Sequence, residues 1–554
     1  MVQQVDYRLT GGQVLNVFNQ EFEEKDVWIK GEKIVFVGDN QDLEAKTTID
    51  CHGRWLVPGF IDAHLHIESS LLTPSEFGRL SLENGVTRIF ADPHEIASVA
   101  GISGIQYMLD SAKKTPLHIH YMLPSSVPAT PFEHAGAILD ADALRPFYQH
   151  PEIAGLAEVM DFPAVANGQA DMLQKIADAQ EAHRHVDGHG AGLGPAELAI
   201  YRAYGIDTDH EATSKKEALD RVNAGMAVFL REGTVERDEL ALLPAVTKAN
   251  EGHFAFATDD KSAADIQKEG SINFNIALAI QNGLKPELAY TLASYNGATA
   301  HHLQNVGALA PGFEADLVML TDPKQVTIDQ VMVGGQFFQN KQENVLRLPG
   351  QQINLTFSKA DLALPLDASK KAHVIEIEPH HITTKHQVEM VPVDADGQFA
   401  PNETFAKVAV IERYHDHDLG HGLGIIKGLS LKDGAIASTI AHDSHNLIVA
   451  GVNDDDMVLA VETLKKIGGG QVVVRNGQVT TLPLPIGGLM SDLPYEELIQ
   501  KQQTLNEAFA EISPLAFDPF LTLSFMALPV IPSLKITDQG LFDFTQFAFI
   551  QIQD

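Results

Sequence analysis

Short apolar runs alternate with longer, helix-like stretches between residues 56 and 304 of the chain. The clearest runs are residues 86–91, 153–157, 226–230 and 254–258. This alternation is typical of β/α units, which build a parallel sheet or a closed barrel. Active sites of β/α barrels lie at the carboxyl ends of the strands, so the polar residues that follow each run are the first candidates for chemistry.

The regions on both sides of this segment have a different pattern. Residues 1–55 and 305–345 contain short alternating runs broken by glycine, which predicts hairpins. Beyond residue 346, apolar runs at 434–440 and 446–451, a helix between Asp454 and Gly468, and an Asn476-Gly477 hairpin predict an α+β domain. The sequence therefore predicts boundaries near residues 55, 304 and 345, with the last domain spanning 346–554.

Length, charge and cysteine content restrict the function classes. A chain of 554 residues is too long for one core. With 39 Lys and Arg against 74 Asp and Glu, the net charge of −35 argues against nucleic acid or an anionic membrane as partner. The only cysteine, Cys51, excludes an intrachain disulfide and a thiolate cluster and fits a reducing cytoplasm.

Two stretches bear on targeting. Residues 1–12 lack a basic segment followed by an apolar one, so no signal peptide is expected. Residues 520–532 are apolar, but the stretch is short and contains Pro529 and Pro532. We therefore expect a buried segment there and not a membrane span.

The first apolar run of the β/α region ends in two histidines, His64 and His66, one residue apart. Residues i and i+2 of a strand point to the same face, so both imidazoles can reach one metal ion. A lone histidine beside an apolar run is more often structural. The pair, which follows Pro58-Gly59 and precedes Glu68, indicates a metal site.

Later runs also end in groups that bind metals or carry protons. In chain order, these are Asp92, His94 and Glu95, then Glu158, His189, His210 with Glu211, Arg231 with Glu232, and Asp259 with Asp260. Simpler explanations exist: Asp92-Pro93 is an ordinary turn signal, and Arg231-Glu232 could be a structural ion pair. A charge such as that of Glu158 at a buried strand end needs a partner. His183 and His185 are expected at a helix end or on the surface.

These residues resemble the metal-dependent amidohydrolase superfamily, in which such a His-x-His closes the first barrel strand. Narrower features are similar to the adenine deaminase family. They are Ile67-Glu68-Ser69-Ser70, Asp92-Pro93-His94-Glu95, residues 441–446, Gly468-Gly469-Gly470, Leu482-Pro483-Leu484-Pro485 and Thr522-Leu523-Ser524-Phe525. Gly190 and Gly297 depart from the family's usual Ala-Pro and Asn-Pro-Ala segments, but neither change removes a reactive group.

The resemblance implies an α/β fold: a (β/α)8 metal-dependent hydrolase barrel (56–304), a small composite β-sandwich (1–55 with 305–345) and a C-terminal α+β domain. It implies two divalent ions, with Mn or Fe favoured and Zn compatible. The implied ligands are His64, His66, Asp92, His94, Glu158, His189, His210 and Asp259. Glu158 would bridge the ions, where many relatives use a carboxylated lysine. Asp259 would also take a proton from the attacking water, with Asp260 as the alternative if the register shifts by one residue.

The implied reaction is hydrolysis of adenine to hypoxanthine and ammonia in purine salvage. Candidates for the general acid are Glu95, Glu211 and Glu232, and candidates for substrate binding are Arg231, His442, Asp443 and His445. The expected partners are adenine and water, and we expect a homo-oligomer. Two alternatives remain. An amidohydrolase for a cyclic amide would not need residues 441–446, and a non-catalytic metal-binding relative would have less reason to keep Asp259.

Overall fold

The computed structural model describes residues 3–348, 353–379, 381–415 and 420–553. The chain begins with five strands: β1 (Gln3–Asn16), β2 (Glu21–Lys30), β3 (Lys33–Val37), β4 (Leu43–Asp50) and β5 (Trp55–Pro58). Strands β1, β2 and β3 pair antiparallel, whereas β4 and β5 both run parallel to β1. The hairpin predicted around Gly31 joins β2 and β3, and Gly31 has the positive φ of 56° that such a turn requires.

Eight parallel strands follow. They are β6 (Phe60–Leu65), β7 (Val86–Ala91), β8 (His118–Leu123), β9 (Ile153–Val159), β10 (His185–Gly188), β11 (Thr208–Asp209), β12 (Ala227–Arg231) and β13 (Phe254–Ala257). Two ladders contain them, β6 to β10 and β11 to β13. The Asp259 amide donates to the His64 carbonyl at 3.0 Å, and the Asp207 amide donates to the Val186 carbonyl at 3.4 Å. These bonds join the two ladders at both ends, so the sheet curls into the predicted (β/α)8-like barrel.

Helices occupy the connections between these strands. They are α1 (Pro74–Glu83), α2 (His94–Ala112), α3 (Ala141–Leu144), α4 (Phe162–Ala166), α5 (Ala170–Glu181), α6 (Pro195–Ala203), α7 (Lys215–Asn223), α8 (Glu239–Leu242), α9 (Ala263–Glu269), α10 (Ile272–Gln281), α11 (Pro286–Thr291) and α12 (Gly297–Ala300). In α5, Met172, Ile176 and Ala179 recur at helical spacing and are buried against the barrel. The helices therefore cover the barrel as the amphipathic stretches predicted.

The chain then returns to its first sheet. Strands β14 (Leu317–Asp322), β15 (Thr327–Val333) and β16 (Gln336–Phe337) form an antiparallel extension. Leu317 of β14 is paired with Pro58 of β5, so strands from before and after the barrel lie in one sheet. The order is β16-β15-β14-β5-β1-β2-β3, with β4 beside β1.

The C-terminal region is built on a second eight-stranded sheet. Its elements are β17 (Ala372–Ile377), β18 (Thr384–Glu389), β19 (Phe405–Ile411), β20 (His421–Lys427), β21 (Ala435–Ser438), β22 (Leu447–Gly451), α13 (Asp454–Ile467), β23 (Gly470–Arg475), β24 (Gln478–Pro483), α14 (Tyr495–Ile512), α15 (Pro519–Phe525), β25 (Leu534–Thr537), β26 (Gly540–Asp543) and β27 (Ala548–Ile550). The sheet order is β18-β17-β20-β19-β22-β21-β23-β24, and β25 to β27 form a separate small sheet.

Local signals in this region behave as the sequence predicts. The Asn453 side chain caps α13 by accepting the amides of residues 455 and 456, and α13 ends at Gly468 in a left-handed conformation. Asn476 and Gly477, both with positive φ, turn β23 into β24. Residues 520–528 are largely buried, and no helix among the described residues is long and apolar enough to cross a membrane.

The C-terminal region packs onto the mouth of the barrel. The Ser491 amide donates to the Leu71 carbonyl at 2.8 Å, and the Tyr495 hydroxyl donates to Glu83 at 2.7 Å. The Asn446 side-chain amide donates to the His134 carbonyl at 2.7 Å. The first two bonds attach the segment after β24 to the barrel, and the Asn446 bond attaches the loop between β21 and β22, which lies at the predicted site.

Candidate metal centre and active site

The barrel strands carry most of the predicted residues at their carboxyl ends. His64 lies in β6 and His66 directly after its end, Asp92 follows β7, His94 begins α2, Glu158 lies near the end of β9, His189 follows β10, His210 follows β11, Arg231 ends β12, and Asp259 lies two residues past β13. Parallel strands end at the same edge of a barrel, so these side chains converge. Except for His189, which is partly exposed, all of them are buried.

Glu158 lies at the centre of the cluster. Its Oε2 is 2.7 Å from Nδ1 of His189 and 3.3 Å from Nε2 of His210. Its Oε1 is 3.5 Å from Nε2 of His66 and 3.6 Å from Nδ1 of His94. The two oxygens of one carboxylate therefore face two different pairs of histidines.

Asp259 also contacts this group of histidines. Its Oδ1 is 3.2 Å from Nε2 of His66, and its Oδ2 accepts a hydrogen bond of 2.9 Å from Arg231. The neighbouring Asp260 instead accepts a hydrogen bond from the Ser69 hydroxyl. Of the two aspartates, Asp259 is the one that faces the histidines.

Partners behind the histidines orient their rings. Nδ1 of His64 is 2.9 Å from Asp187, and Nδ1 of His66 donates to the carbonyl of Asp92 at 3.1 Å. Nε2 of both rings thus faces the cluster, and Nε2 of His64, which lies 3.6 Å from Asp259, has no hydrogen-bond partner among the described residues. Such support of the distal nitrogen is typical of metal-binding histidines.

The donor set fits divalent cations. Groups of three or four ligand atoms lie within 4.8 Å of one another, for example those of His64, His66 and Asp259, and those of His64, Glu158 and His210. Imidazole nitrogens and carboxylate oxygens suit zinc, iron and manganese. A buried nitrogen without a partner and several converging carboxylates are what a cation in this position would satisfy.

Asp92 and His94 connect the cluster to the C-terminal region. Nδ1 of His94 is 3.0 Å from the Asp92 carboxylate, and its Nε2 is 3.8 Å from Asp443. Burial by itself raises the pKa of Asp443, but hydrogen bonding to His94 and the charge of His94 bring it below the usual value. His94 thus lies between carboxylates from the barrel and from the C-terminal region.

The loop of residues 441–446 reaches the site within the same chain. Nδ1 of His442 is 3.3 Å from Glu95, and Nε2 of His445 is 3.7 Å from the other oxygen of Glu95. The His442 ring stacks on Phe525, with ring centroids 4.9 Å apart. The cavity between this loop and the strand ends holds about 930 Å³ of empty space, part of it open to solvent, and is also lined by residues 382–383 and 528–532.

The three candidates for the general acid have different surroundings. Burial raises the pKa of Glu95 above its usual value, although His442 opposes this. Burial also acts on Glu211, but its ion pair with Arg231 brings its pKa below the usual value. Burial also raises the pKa of Glu232, to about 7, with Arg237 opposing. A proton donor needs a raised pKa, so these surroundings favour Glu95 and Glu232 over Glu211.

The structure corrects the predicted role of Glu232 and shows what holds Arg231. Glu232 is turned away from the cavity, and its carboxylate lies 3.6 Å from Arg237, because alternate residues of a strand point to opposite faces. Arg231 does line the cavity, but its guanidinium donates to Glu211, Asp238 and Asp259. Glu232 therefore lacks access to the cavity that an acid would need, whereas Arg231 holds carboxylates in place and its role in substrate binding stays a prediction.

Several residues of the site carry no clear signal in the sequence. Glu236 lines the cavity from a loop, and burial raises its pKa to about 8, with Arg231 opposing. Phe525 arrives from α15, and Asp187 lies inside a barrel strand behind His64. Phe525 lies in the Thr522-Leu523-Ser524-Phe525 segment and Asp187 directly precedes the Gly188-His189 strand end, so both lie in stretches that the sequence analysis names, although neither stretch indicated the role of the residue.

Comparison with known proteins agrees with this arrangement. The amidohydrolase family model matches residues 55–338, and the model of the adenine deaminase C-terminal domain matches residues 381–548. The chain is 63% identical over 554 residues to "Adenine deaminase" of Leuconostoc mesenteroides subsp. mesenteroides, with all of both chains covered. It is 48% identical to "Adenine deaminase" of Lactiplantibacillus plantarum, covering 100% of this chain and 98% of the other.

Proposed function

This chain belongs to the adenine deaminase family of the amidohydrolase superfamily, and on that premise we propose that it hydrolyses free adenine to hypoxanthine and ammonia in purine salvage. The observation that carries the proposal is the meeting of the two family-specific parts in one cavity. His442 and Asp443 of the C-terminal region lie beside Glu95 and His94 of the barrel. Hydrolysis of a cyclic amide by another amidohydrolase is not favoured, because the full-length relatives named above are adenine deaminases.

We also propose the domain division of the sequence analysis: a composite β-sandwich from 1–55 and 305–345, a barrel of 56–304, and a C-terminal α+β domain of 346–554. The pairing of β5 with β14 supports the composite unit. The alternation of eight strands with helices supports the barrel bounds of 56 and 304, and the separate sheet of strands β17 to β24 supports the C-terminal domain.

Two divalent ions would be held by the cluster. Our assignment gives one ion His64, His66 and Asp259, gives the other His189 and His210, and places Glu158 between them; Asp92 and His94 remain candidate ligands at the edge. The family resemblance favours Mn or Fe, and the nitrogen and oxygen donors accept Zn as well. When bound, ions of this kind bring the pKa of water close to neutrality.

Asp259 is the proposed acceptor of the water proton. Burial by itself raises the pKa of Asp259, but hydrogen bonding with His66 and the charges of His210 and Arg231 bring it well below the usual value. The carboxylate is therefore ionised and can take a proton on the oxygen that faces the cluster. Arg231 holds the other oxygen and so fixes the direction of the acceptor.

Glu95 is the proposed donor to the purine ring. As the water oxygen bonds to C6, Glu95 gives its proton to N1, and the proton held by Asp259 is passed to the exocyclic nitrogen. The C6–N6 bond then breaks and ammonia leaves, while the remaining O–H proton returns to Glu95, so that C6 keeps the oxygen as a carbonyl and both carboxyl groups are restored. Phe525 and the stacked His442 offer a flat surface for the ring, and Asp443 remains a candidate for contacts with its edge. The fully buried His445 does not line the cavity, so it would act through its contact with Glu95.

Replacement of His442 by alanine is expected to lower kcat/KM for adenine by roughly 10²-fold, the lower end of what general acid–base groups contribute. The reason is that His442 contacts Glu95 and lines the cavity. His445→Ala is expected to act in the same direction through its contact with Glu95. Kinetics should be measured together with metal content, which should not change.

His52→Ala, an exposed histidine of the first sheet, is the control. Wild-type kinetics in both His442→Ala and His445→Ala would leave the loop of residues 441–446 a structural turn.

The substrate itself is tested with the enzyme loaded with Mn or Fe. Adenine, adenosine, cytosine and dihydroorotate are compared for ammonia release and absorbance change. We expect adenine to be turned over faster than the other three compounds by orders of magnitude. The fold and the metal ligands alone do not select a substrate, so the selectivity would come from the 441–446 loop, which narrows the cavity. If another of these compounds were turned over strongly while adenine was inert, the proposed substrate would be wrong, although the assignment as a metal-dependent barrel hydrolase would still stand.

The other expectations remain predictions. A cytoplasmic location is supported by the buried, free Cys51. The net charge of −35 supports the expected lack of nucleic-acid binding. The expected homo-oligomer is tested by the mass of the protein in solution.

A further inference from the structure

A second cluster of histidines and a carboxylate lies at the opposite end of the barrel, where the strands begin. His185 is the first residue of β10, Asp207 directly precedes β11, and His302 follows α12. Nδ1 of His185 is 3.1 Å from one oxygen of Asp207, and Nε2 of His302 is 3.5 Å from the other. Ligand atoms of the three residues all lie within 4.8 Å of one another.

The burial of His185 is a correction to the sequence analysis. His183 lies exposed beyond the end of α5, as expected, but the side chain of His185 has no exposed surface. Strand β10 begins at His185, so the His185 ring lies within the barrel and is shielded from solvent. A buried imidazole needs partners for both nitrogens.

Hydrogen bonding determines which nitrogen of His185 carries the proton. The Thr208 hydroxyl donates its single proton to Asp187, so it can only accept from Nε2 of His185, at 2.9 Å. In the neutral ring, Nδ1 then carries a lone pair. Among the described residues, neither this Nδ1 nor Oδ1 of Asp207 has a hydrogen-bond partner, although both atoms are buried. In that state two acceptors 3.1 Å apart face each other, and either a cation between them or a proton on Nδ1 would relieve the contact.

We propose that His185, Asp207 and His302 bind a divalent cation of the zinc type, separate from the metal centre at the barrel mouth. Tetrahedral zinc, with ligands at about 2.0–2.1 Å, sets neighbouring ligand atoms about 3.3 Å apart. The two imidazoles flank the carboxylate, one on each oxygen, at 3.1 and 3.5 Å, which is close to the separation of neighbouring zinc ligands. Two imidazoles and a carboxylate leave a fourth position for water.

Access and charge agree with a cation. The His302 side chain is 60% exposed, so the site opens to solvent on that side while His185 closes it on the other. Asp207 supplies the one carboxylate of the three ligand groups, and a cation that binds the two imidazoles displaces their protons. Burial by itself raises the pKa of Asp207, but His185 and His302 bring it well below the usual value, so the carboxylate is available as a ligand.

The position of the cluster indicates what a cation would do there. The two ladders of the barrel meet between β10 and β11, where the bond from the Asp207 amide to the Val186 carbonyl is long at 3.4 Å. A cation held by His185 and Asp207 would cross-link this junction and attach His302, from the segment after the barrel, to it. Its binding would stabilise the folded protein by mass action.

The test is metal stoichiometry and thermal stability after stripping and reloading with Zn²⁺. Wild-type protein is expected to retain one equivalent more per chain than Asp207→Asn or His302→Ala, and Zn²⁺ is expected to raise its Tm more. His302→Arg keeps a positive charge beside Asp207 but cannot bind a metal, so it should also lose the equivalent. His302→Cys, whose thiolate is a zinc ligand, should keep it.

A barrel-mouth variant, Glu158→Gln, separates this proposal from the proposed function. It should lose metal at the mouth and keep the equivalent that depends on Asp207. The proposal is overturned if folded His302→Ala and Asp207→Asn, checked by circular dichroism, retain as much Zn²⁺ as wild type. It is equally overturned if His302→Arg, but not His302→Ala, matches wild type in Zn²⁺ content and Tm. A positive charge beside Asp207 would then be sufficient, and the cluster would be an ion pair alone.

Discussion

Glu158→Gln is expected to bind fewer metal ions and to lose deamination of adenine by well over about 10²-fold, the loss that outer partners of metal ligands produce. The reason is the central position of Glu158, whose two oxygens lie between 2.7 and 3.6 Å from four histidine nitrogens. Glutamine has nearly the same shape but offers one oxygen and no charge. Metal analysis and kcat should be measured on the same preparation.

Glu181→Gln, an exposed glutamate at the end of α5, is the matched control and should keep both metal and activity. A fully active Glu158→Gln protein with two ions still bound would reject the assignment of Glu158 as the bridge.

Asp259→Asn should reduce kcat for adenine by about 10²–10⁴-fold, the range of a general base in its reaction. An amide cannot take the water proton, whereas the buried Asp259 carboxylate is kept ionised by His66 and Arg231. Asparagine still accepts the hydrogen bond from Arg231, so folding should be preserved. The measurement is single-turnover kinetics at matched metal content, which separates loss of the base from loss of a ligand.

Asp260→Asn makes the same chemical change one residue along the chain and is the natural control. Asp260 accepts a hydrogen bond from Ser69 and not from the histidines, so this variant should keep most of its activity. The reverse result, an inactive Asp260→Asn beside an active Asp259→Asn, would mean that the register assigned to the end of β13 is wrong by one residue.

The barrel and most of its strand-end residues could be predicted because parallel strands of a closed sheet end together. That rule brought His64, Glu158 and Asp259 into one cluster from three distant parts of the chain. Alternation along a strand was the weak point. At the end of β12 the sequence did not say whether Arg231 or Glu232 points inward, and the structure turns Glu232 away.

Contacts between distant segments could not be predicted from local pattern. The loop with His442 could have reached its own barrel or that of a neighbour, and packing of the C-terminal region on the barrel mouth brings it to the same chain. Glu236 lies on a loop whose sequence is typical of an ordinary turn, and the Thr522-Leu523-Ser524-Phe525 segment resembled the family without indicating that Phe525 lines the cavity. His185 seemed a surface residue because polar neighbours precede it, yet the strand begins there.

The pairing of β5 with β14 has a consequence for how the protein is made. About 260 residues separate Pro58 from its partner Leu317, and the entire barrel lies between them. At a synthesis rate of about 5–20 residues per second, β5 waits roughly 10–50 s on the ribosome before its partner is translated. During that interval the nascent first sheet has an unpaired edge, the kind of surface that recruits foreign strands. The emerging chain therefore depends on early folding of the barrel, or on a chaperone, to shield that edge.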